Sequence, residues 1–377
     1  MNSCTDRNTQ AGFSIYELVV AITVFLIVTA AAFALMGNAV RLSTTQFDLA
    51  DSQETLRFAQ EYINRDLIDA GANMPTVRGI RLPTGFVTSY LTADQVAPAG
   101  GFVNIEILSP DNNVGVGVTT PSNPPGGAGI SIMPNTDRVT ILSKDSTFTS
   151  VTVSTANIVV ANPRVRVNFG TAAETAPFVV GGIYYLESYD STGNARRTFA
   201  AVTAKNTGGN NLTFGAAADP YGLNPAGNNA PIQWVSNGGV LSVTISRILM
   251  VHYFVRSSTV NGVTSGLLTR RVIGDAAGGY TDAVIAEHVT NVQFRYQLNL
   301  RDANNQLLGP VDQFATAQQQ SAPRQVEVSL TTESTHVVKK DPGPDGIPNT
   351  NDDVLVRQTA TSDTSTSLRN FPGNNAL

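Results

Sequence analysis

Gly12-Phe13-Ser14-Ile15-Tyr16-Glu17 opens a run of twenty-three uncharged residues that ends at Arg41. Within it, Leu18 to Met36 is interrupted only by Thr23 and Thr29. A helix rises 1.5 Å per residue, so about 20 apolar residues cross a bilayer core. A cleavable secretory signal would instead have a basic start, a shorter apolar core and a small-residue cleavage site beyond it. Ala30-Ala31-Ala32 could imitate such a site, but Glu17 opens the apolar run and the helical pattern continues past it. A charge at mid-membrane costs roughly 2.5–3.5 kcal/mol on insertion scales, less near the interface. A carboxylate kept at Glu17 therefore calls for a partner.

This arrangement resembles the class III signal of type IV pilins and of the pseudopilins of type II secretion. The resemblance implies a leader over residues 1–12, cut by a prepilin peptidase after Gly12, with Phe13 as the methylated N-terminus. It also implies that Glu17 pairs with the α-amine of Phe13 on a neighbouring subunit and so sets register during assembly. The departure is in the leader, where Asp6 and Arg7 cancel and the usual basic excess is missing.

The helical pattern outlasts the apolar run. Leu42, Leu49, Leu56, Ile63 and Ala70 recur every seven residues, and Ala59 and Leu67 widen the stripe. One apolar face at that period suits a helix lying on a sheet. Glu54/Arg57 and Glu61/Arg65 have the spacing of favourable pairs, and Gly71 with Pro75 supplies a stop. The expectation is one helix over 13–70, transmembrane over about 18–40.

Beyond Gly71 the chain reads as β. Alternation marks 102–108, 138–142, 151–153, 164–169, 183–189 and 198–202, and more strongly 240–255, 267–272, 289–300, 325–332 and 354–359. Asn261-Gly262 is a hairpin signal, and Asp312–Gln320 suggests a short helix. The stretches 111–136 and 205–239, rich in Gly, Pro and Asn, read as long surface loops. The fold class expected is α+β: a long N-terminal helix packed on a β-rich domain over 71–377, in one or two subdomains. Leu268–Val272, Ile285–Tyr296, Val326–Leu330 and Ser367–Asn370 resemble, in order, the closing region of PilW-type minor pilins and GspJ-type pseudopilins.

Composition limits the chemistry. Cys4, inside the leader, is the one cysteine, so the processed chain would carry neither disulfide nor thiol chemistry. A net charge of −5 without a Lys/Arg cluster disfavours nucleic acid as a partner. His252, His288 and His336 fall on expected strands without metal-ligand spacing, and Glu287 and His288 would face opposite sides of one strand. No nucleophile elbow, phosphate loop or dinucleotide fingerprint is present, and no enzyme is expected. Tyr184-Tyr185, Tyr253-Phe254 and Phe294/Tyr296 read as core.

The oxygen-rich stretch 341–353 suggests Ca²⁺. Asp341, Asp345, Asn349, Asp352 and Asp353 crowd one connection, and Ca²⁺ takes six to eight oxygens on a tightly turning backbone. A polar hairpin loop satisfying turn chemistry is the competing reading.

The resemblance implies a minor pilin inserted in the inner membrane with its C-terminal domain in the periplasm, later part of the fibre or its tip. Its partners would be the peptidase, other minor and major pilins or pseudopilins, and the inner-membrane assembly platform. A type II secretion pseudopilin and a pilus- or membrane-anchored adhesin are the alternatives.

Overall fold

The computed structural model describes residues 14–72, 74, 79–91, 101–120, 129–161, 164–206, 208–225, 231–237, 239–260, 263–274, 279–316, 319, 322–341 and 354–369. They form two compact units, one of Met1–Asp51 with Ser334–Gln358 and one of Ser52–Glu333 with Thr359–Leu377. Helix α1 (Ile15–Ile68) contributes to both. The fold is α+β, a long N-terminal helix followed by antiparallel sheets.

In chain order the elements after α1 begin with β1 (Ile80–Pro83), α2 (Thr84–Tyr90), β2 (Phe102–Ile105), β3 (Leu108–Asp111), β4 (Arg138–Lys144), β5 (Val151–Ser154), β6 (Ile158–Ala161) and β7 (Arg164–Asn168). Next come α3 (Ala172–Thr175), β8 (Ile183–Tyr189), β9 (Ala195–Ala201), β10 (Ala204–Asn206), β11 (Asn211–Gly215) and α4 (Pro231–Ser236). The long strands follow: β12 (Ser242–Val260), β13 (Val263–Ile273), β14 (Tyr280–Ala286), β15 (Val289–Leu298), β16 (Pro323–Asp341) and β17 (Val354–Ser367).

Strand β12 organises the larger unit by changing partners midway. Its first part, Ser242–Arg247, pairs with β5 and β8, and from Ile248 onward it pairs with β4 and β13. Among the described residues, two large hydrophobic cores lie against it. One holds Leu82, Ile105, Val139, Met250, Tyr253 and Phe294. The other gathers Val165, Val167, Leu212, Phe214 and Ile245 around the ring cluster of Phe148, Phe178 and Tyr184. Arg247, at the changeover, holds Asp145 just past the end of β4 (Nη2–Oδ2 2.6 Å).

The expected apolar stripe of α1 is buried where it belongs to this unit. Leu56, Ala59, Ile63, Leu67 and Ala70 are at most 2% exposed and join the first core. Burying each of the larger side chains stabilises by about 2 kcal/mol, against a few tenths for an exposed helix pair. The pairs matter less still here, because neither Glu54/Arg57 nor Glu61/Arg65 forms an ion pair; Arg65 lies over the Tyr62 ring instead (5.0 Å). The stripe does not extend to Leu42, which is exposed, and Leu49 is half-buried. The helix ends at Ile68, and Gly71, in the left-handed region (φ 68°), donates its N–H to the Leu142 carbonyl.

A polar anchor completes the docking. Asp66 is buried and accepts hydrogen bonds from the Tyr253 hydroxyl (2.6 Å) and from Nε and Nη2 of Arg270 (2.6 and 3.2 Å). Along another line of the helix, the Gln60 carbonyl oxygen accepts from Ser362 (3.0 Å), while Asn64 donates to Thr364 (3.2 Å) and accepts from Thr366 (2.5 Å). Amides one turn apart thus meet hydroxyls on alternate residues of β17, since the helical and strand periods bring i,i+4 against i,i+2.

Several expectations are corrected. The stretch 205–239 is not a plain loop: it contains β11, whose Leu212 and Phe214 are core, and α4, whose Ile232 and Val235 are buried. Asn224 pins the intervening turn by exchanging two hydrogen bonds with the Ala201 backbone. Loop 111–136 is likewise held, with Val114 and Ile132 packed on Phe254. Of the short helix expected over Asp312–Gln320, Asp312–Thr316 is irregular, while Gln319, the one further residue described there, is helical. His252 lies on a strand as expected and is buried in central β12. His288 is off the strands, at a bend between β14 and β15 with φ 55°, so strand alternation does not govern Glu287-His288. The β12–β13 register runs out to Val260↔Val263, as a turn at Asn261-Gly262 requires; the turn residues lie outside the described ones.

Gly266 shows why one strand position excludes a side chain. A Cβ there would sit 2.0 Å from the Val289 carbonyl and 2.6 Å from Val255 Cγ1, because the start of β15 crosses β13 at backbone contact. Gly266→Ala is expected to destabilise by about 2 kcal/mol through overpacking. Chemical denaturation of the variant showing an unchanged midpoint would contradict that close approach.

Candidate functional site

The N-terminal segment is built as a helix start on an apolar column. Ser14 precedes α1 and Glu17 stands in its first turn. The Ser14 backbone N–H donates to Glu17 Oε2 (3.0 Å), and the Tyr16 N–H donates to Ser14 Oγ (3.3 Å). This is the reciprocal logic of an S-x-x-E capping arrangement, in which side chains satisfy donors that have no intrahelical acceptor. The carboxylate also lies favourably at the positive end of the helix dipole. That local role for Glu17 was legible as Ser14-x-x-Glu17 and was missed in the sequence reading.

Above it, the most apolar 18-residue window of α1 has a mean hydropathy of 2.8, and none of it is buried within the protein. Phe25, Leu26, Phe33 and Leu35 are all exposed by 60% or more. Thr23 returns its hydroxyl proton to the Val19 carbonyl (2.7 Å), so it adds no unsatisfied donor to the column. Among the described residues, this is the one helix long and apolar enough to cross a membrane. Gly12 and Phe13 lie outside the described residues.

The expected Ca²⁺ set is not brought into view. Asp341 is the last residue of β16, and Asp345, Asn349, Asp352 and Asp353 lie outside the described residues. Among the described residues, no three His, Cys, Asp or Glu side chains group to hold a metal ion.

A cavity in the larger unit joins both of the long stretches first read as loops. Thr120 comes from one and Tyr221 from the other; Tyr90, His252, Phe254, Arg271 and Tyr280 supply most of the remaining wall. The space inside it that a water could occupy is about 10 Å³, room for about one water at most. Arg271 lies over the Tyr280 ring (3.6 Å to its centre) and farther from the Phe254 ring (5.1 Å), and both its Nε and Nη2 hold Asp282 (2.7 and 2.8 Å). The aromatic wall therefore already holds a cation, and that cation is neutralised.

His252 adds one polar atom to this wall. Its Nδ1 is 3.2 Å from the Thr140 hydroxyl, while Nε2 has no partner. Burial, helped by Arg138 and Arg271, pushes the imidazole down to about 3, so it is neutral at physiological pH. The cavity combines aromatic packing with an internal ion pair.

The chain matches no protein-family model, no curated protein and no solved structure.

Proposed function

We propose that this protein is a minor pilin, made with a leader that a prepilin peptidase removes after Gly12 and methylated at the new N-terminus, Phe13. The observation that carries the reading is the N-terminal half of α1: an apolar column with no protein partner, opened by one carboxylate at Glu17 and continuous with an amphipathic stretch. A soluble protein has no reason to leave such a column bare, whereas a bilayer or a bundle of like helices would cover it. The protein sits first in the inner membrane with its C-terminal domain in the periplasm. It then joins other pilins through the assembly platform.

In this reading Glu17 has two successive tasks. Before assembly its Oε2 caps the helix at Ser14. In the fibre the same carboxylate receives the α-amine of Phe13 from a neighbour, which offsets the cost of keeping a charge among apolar helices. The domain beyond α1 gives the subunit its individual surface, and no catalytic residue is assigned to it.

Processing tests the proposal most directly. Expressed beside its own peptidase, the wild-type chain should be recovered starting at N-methylated Phe13 by intact-mass and N-terminal analysis. Gly12→Val should stay unprocessed while still entering the membrane. A wild-type chain that keeps its leader, or one cut near Ala30–Ala32, would replace this reading with an ordinary anchor or an export signal.

A further inference from the structure

In the larger unit, strands β8 and β9 gather charged and phenolic groups on one face. Their register aligns Glu187 with Arg197 and Tyr185 with Phe199. Arg197 Nε donates to Glu187 Oε1 (3.0 Å), and the Tyr189 hydroxyl donates to the same oxygen (3.1 Å). Lys144, the last residue of β4, reaches this spot from across β12, with Nζ 5.1 Å from the centre of the Tyr185 ring.

The pairing leaves donors over. Arg197 and Tyr185 are both at most 2% exposed, yet Arg197 Nη2 and the Tyr185 hydroxyl have no hydrogen-bond partner among the described residues. The two groups are neighbours, since the Arg197 guanidinium lies beside the Tyr185 hydroxyl. The Lys144 amine likewise makes no ion pair or hydrogen bond among the described residues, and Glu187 and Arg197 are the charged groups acting on it. A buried donor left unpaired is costly, and more so when it is charged. Lys144 and Arg197 set against Glu187 also leave one positive charge in surplus. Burial lowers the Lys144 amine below its ordinary range, and Glu187, offset by Arg197, does not restore it. An ammonium short of counter-charge behaves in this way.

We propose that a chloride ion binds here, accepting from Arg197 Nη2, the Tyr185 hydroxyl and the Lys144 amine. All three groups can donate, which suits a ligand that only accepts. Glu187 opposes the ion, but its Oε1 is already taken by Arg197 Nε and Tyr189. One surplus positive charge matches a monovalent ion, whereas a buried sulfate or phosphate would carry more charge than the site can balance. A water would leave the surplus unmatched and bring two further O–H donors to a site already rich in them. The ion would join the end of β4 to β8 and β9, next to the chain leaving α1, whose Ala72 carbonyl accepts from the Lys144 N–H (3.3 Å). The proposal is independent of the pilin reading, since it concerns only this cluster.

The test follows thermal unfolding of the full-length chain in a neutral detergent as gluconate is replaced by chloride at constant ionic strength, which holds general screening fixed. The midpoint should rise by at least about 3 °C and then saturate, as binding to the folded state alone requires. Tyr185→Phe keeps the ring and removes one donor. It should fold without loss of stability in gluconate, and should need at least about fivefold more chloride for half the rise. Lys144→Met should lose the rise altogether. Crystals soaked in bromide should show an anomalous peak beside Arg197 Nη2. A midpoint indifferent to the anion, a wild-type chloride response from Tyr185→Phe, or a water at that position in bromide-soaked crystals would overturn the proposal.

Discussion

Asp66→Ala is expected to cost about 3–5 kcal/mol of stability, the range for breaking a buried ion pair by removing one partner. Two groups lose their acceptor at once. Arg270 would keep its charge in a site where its side chain is 21% exposed, and the Tyr253 hydroxyl would be left inside the core. Burial and the adjacent Asp66 carboxylate push the Tyr253 hydroxyl well above its ordinary range, so it is a neutral donor and cannot take over as a counter-charge. Thermal unfolding of the full-length protein in detergent should show a midpoint lower by roughly 10 °C. Asp66→Leu combined with Arg270→Met should recover much of the loss, because that pair of changes leaves no bare charge. A loss below about 1 kcal/mol for Asp66→Ala would mean that Asp66 does not anchor the helix.

Asp137 should make the protein more stable at mild acid than at neutrality. Its two carboxylate oxygens accept from the Asn113 N–H (2.9 Å) and the Phe294 N–H (2.7 Å), while its own N–H reaches the Val292 carbonyl (2.9 Å). It thereby ties the end of the 111–136 stretch to β15. Burial outweighs those two hydrogen bonds and pushes the carboxyl up to about 6 from 3.8. The folded state therefore holds the proton more tightly than the unfolded state does. Between about pH 4 and pH 6 the unfolded chain binds fewer protons, so stability from this group falls as pH rises and is flat above the folded value. The drop is roughly 2–3 kcal/mol.

Asp137→Asn removes the titration, so its slope over that interval should be shallower than the wild type's, even though the amide can accept only one of the two N–H bonds. Urea unfolding at half-unit steps of pH would compare the slopes. Coincident slopes would show that another carboxyl governs the acid response.

The segments that could be read from residue order alone are those whose signal is local. The apolar run from Leu18, the seven-residue stripe through Leu56 and Ile63, and the alternation of 240–255 each depend on neighbours within a few turns or pleats. The cap at Ser14 and Glu17 belongs with them, since its partners are three residues apart.

What escaped has the opposite character. An aspartate in an amphipathic helix looks like a surface residue, and nothing near Asp66 shows that Arg270, 204 positions away, will meet it. The Leu212 and Phe214 strand was hidden among Gly and Asn because its sheet partner, β7, lies over forty residues earlier.

From the order of its residues the chain determined its membrane-length helix, its β-rich remainder and the apolar faces of both, because periodicity is a property of consecutive residues. The tertiary structure alone decided which strands β12 joins and which charges are buried as pairs. Those outcomes depend on contacts between distant segments, and a polar side chain becomes an anchor only when its partner is brought to it.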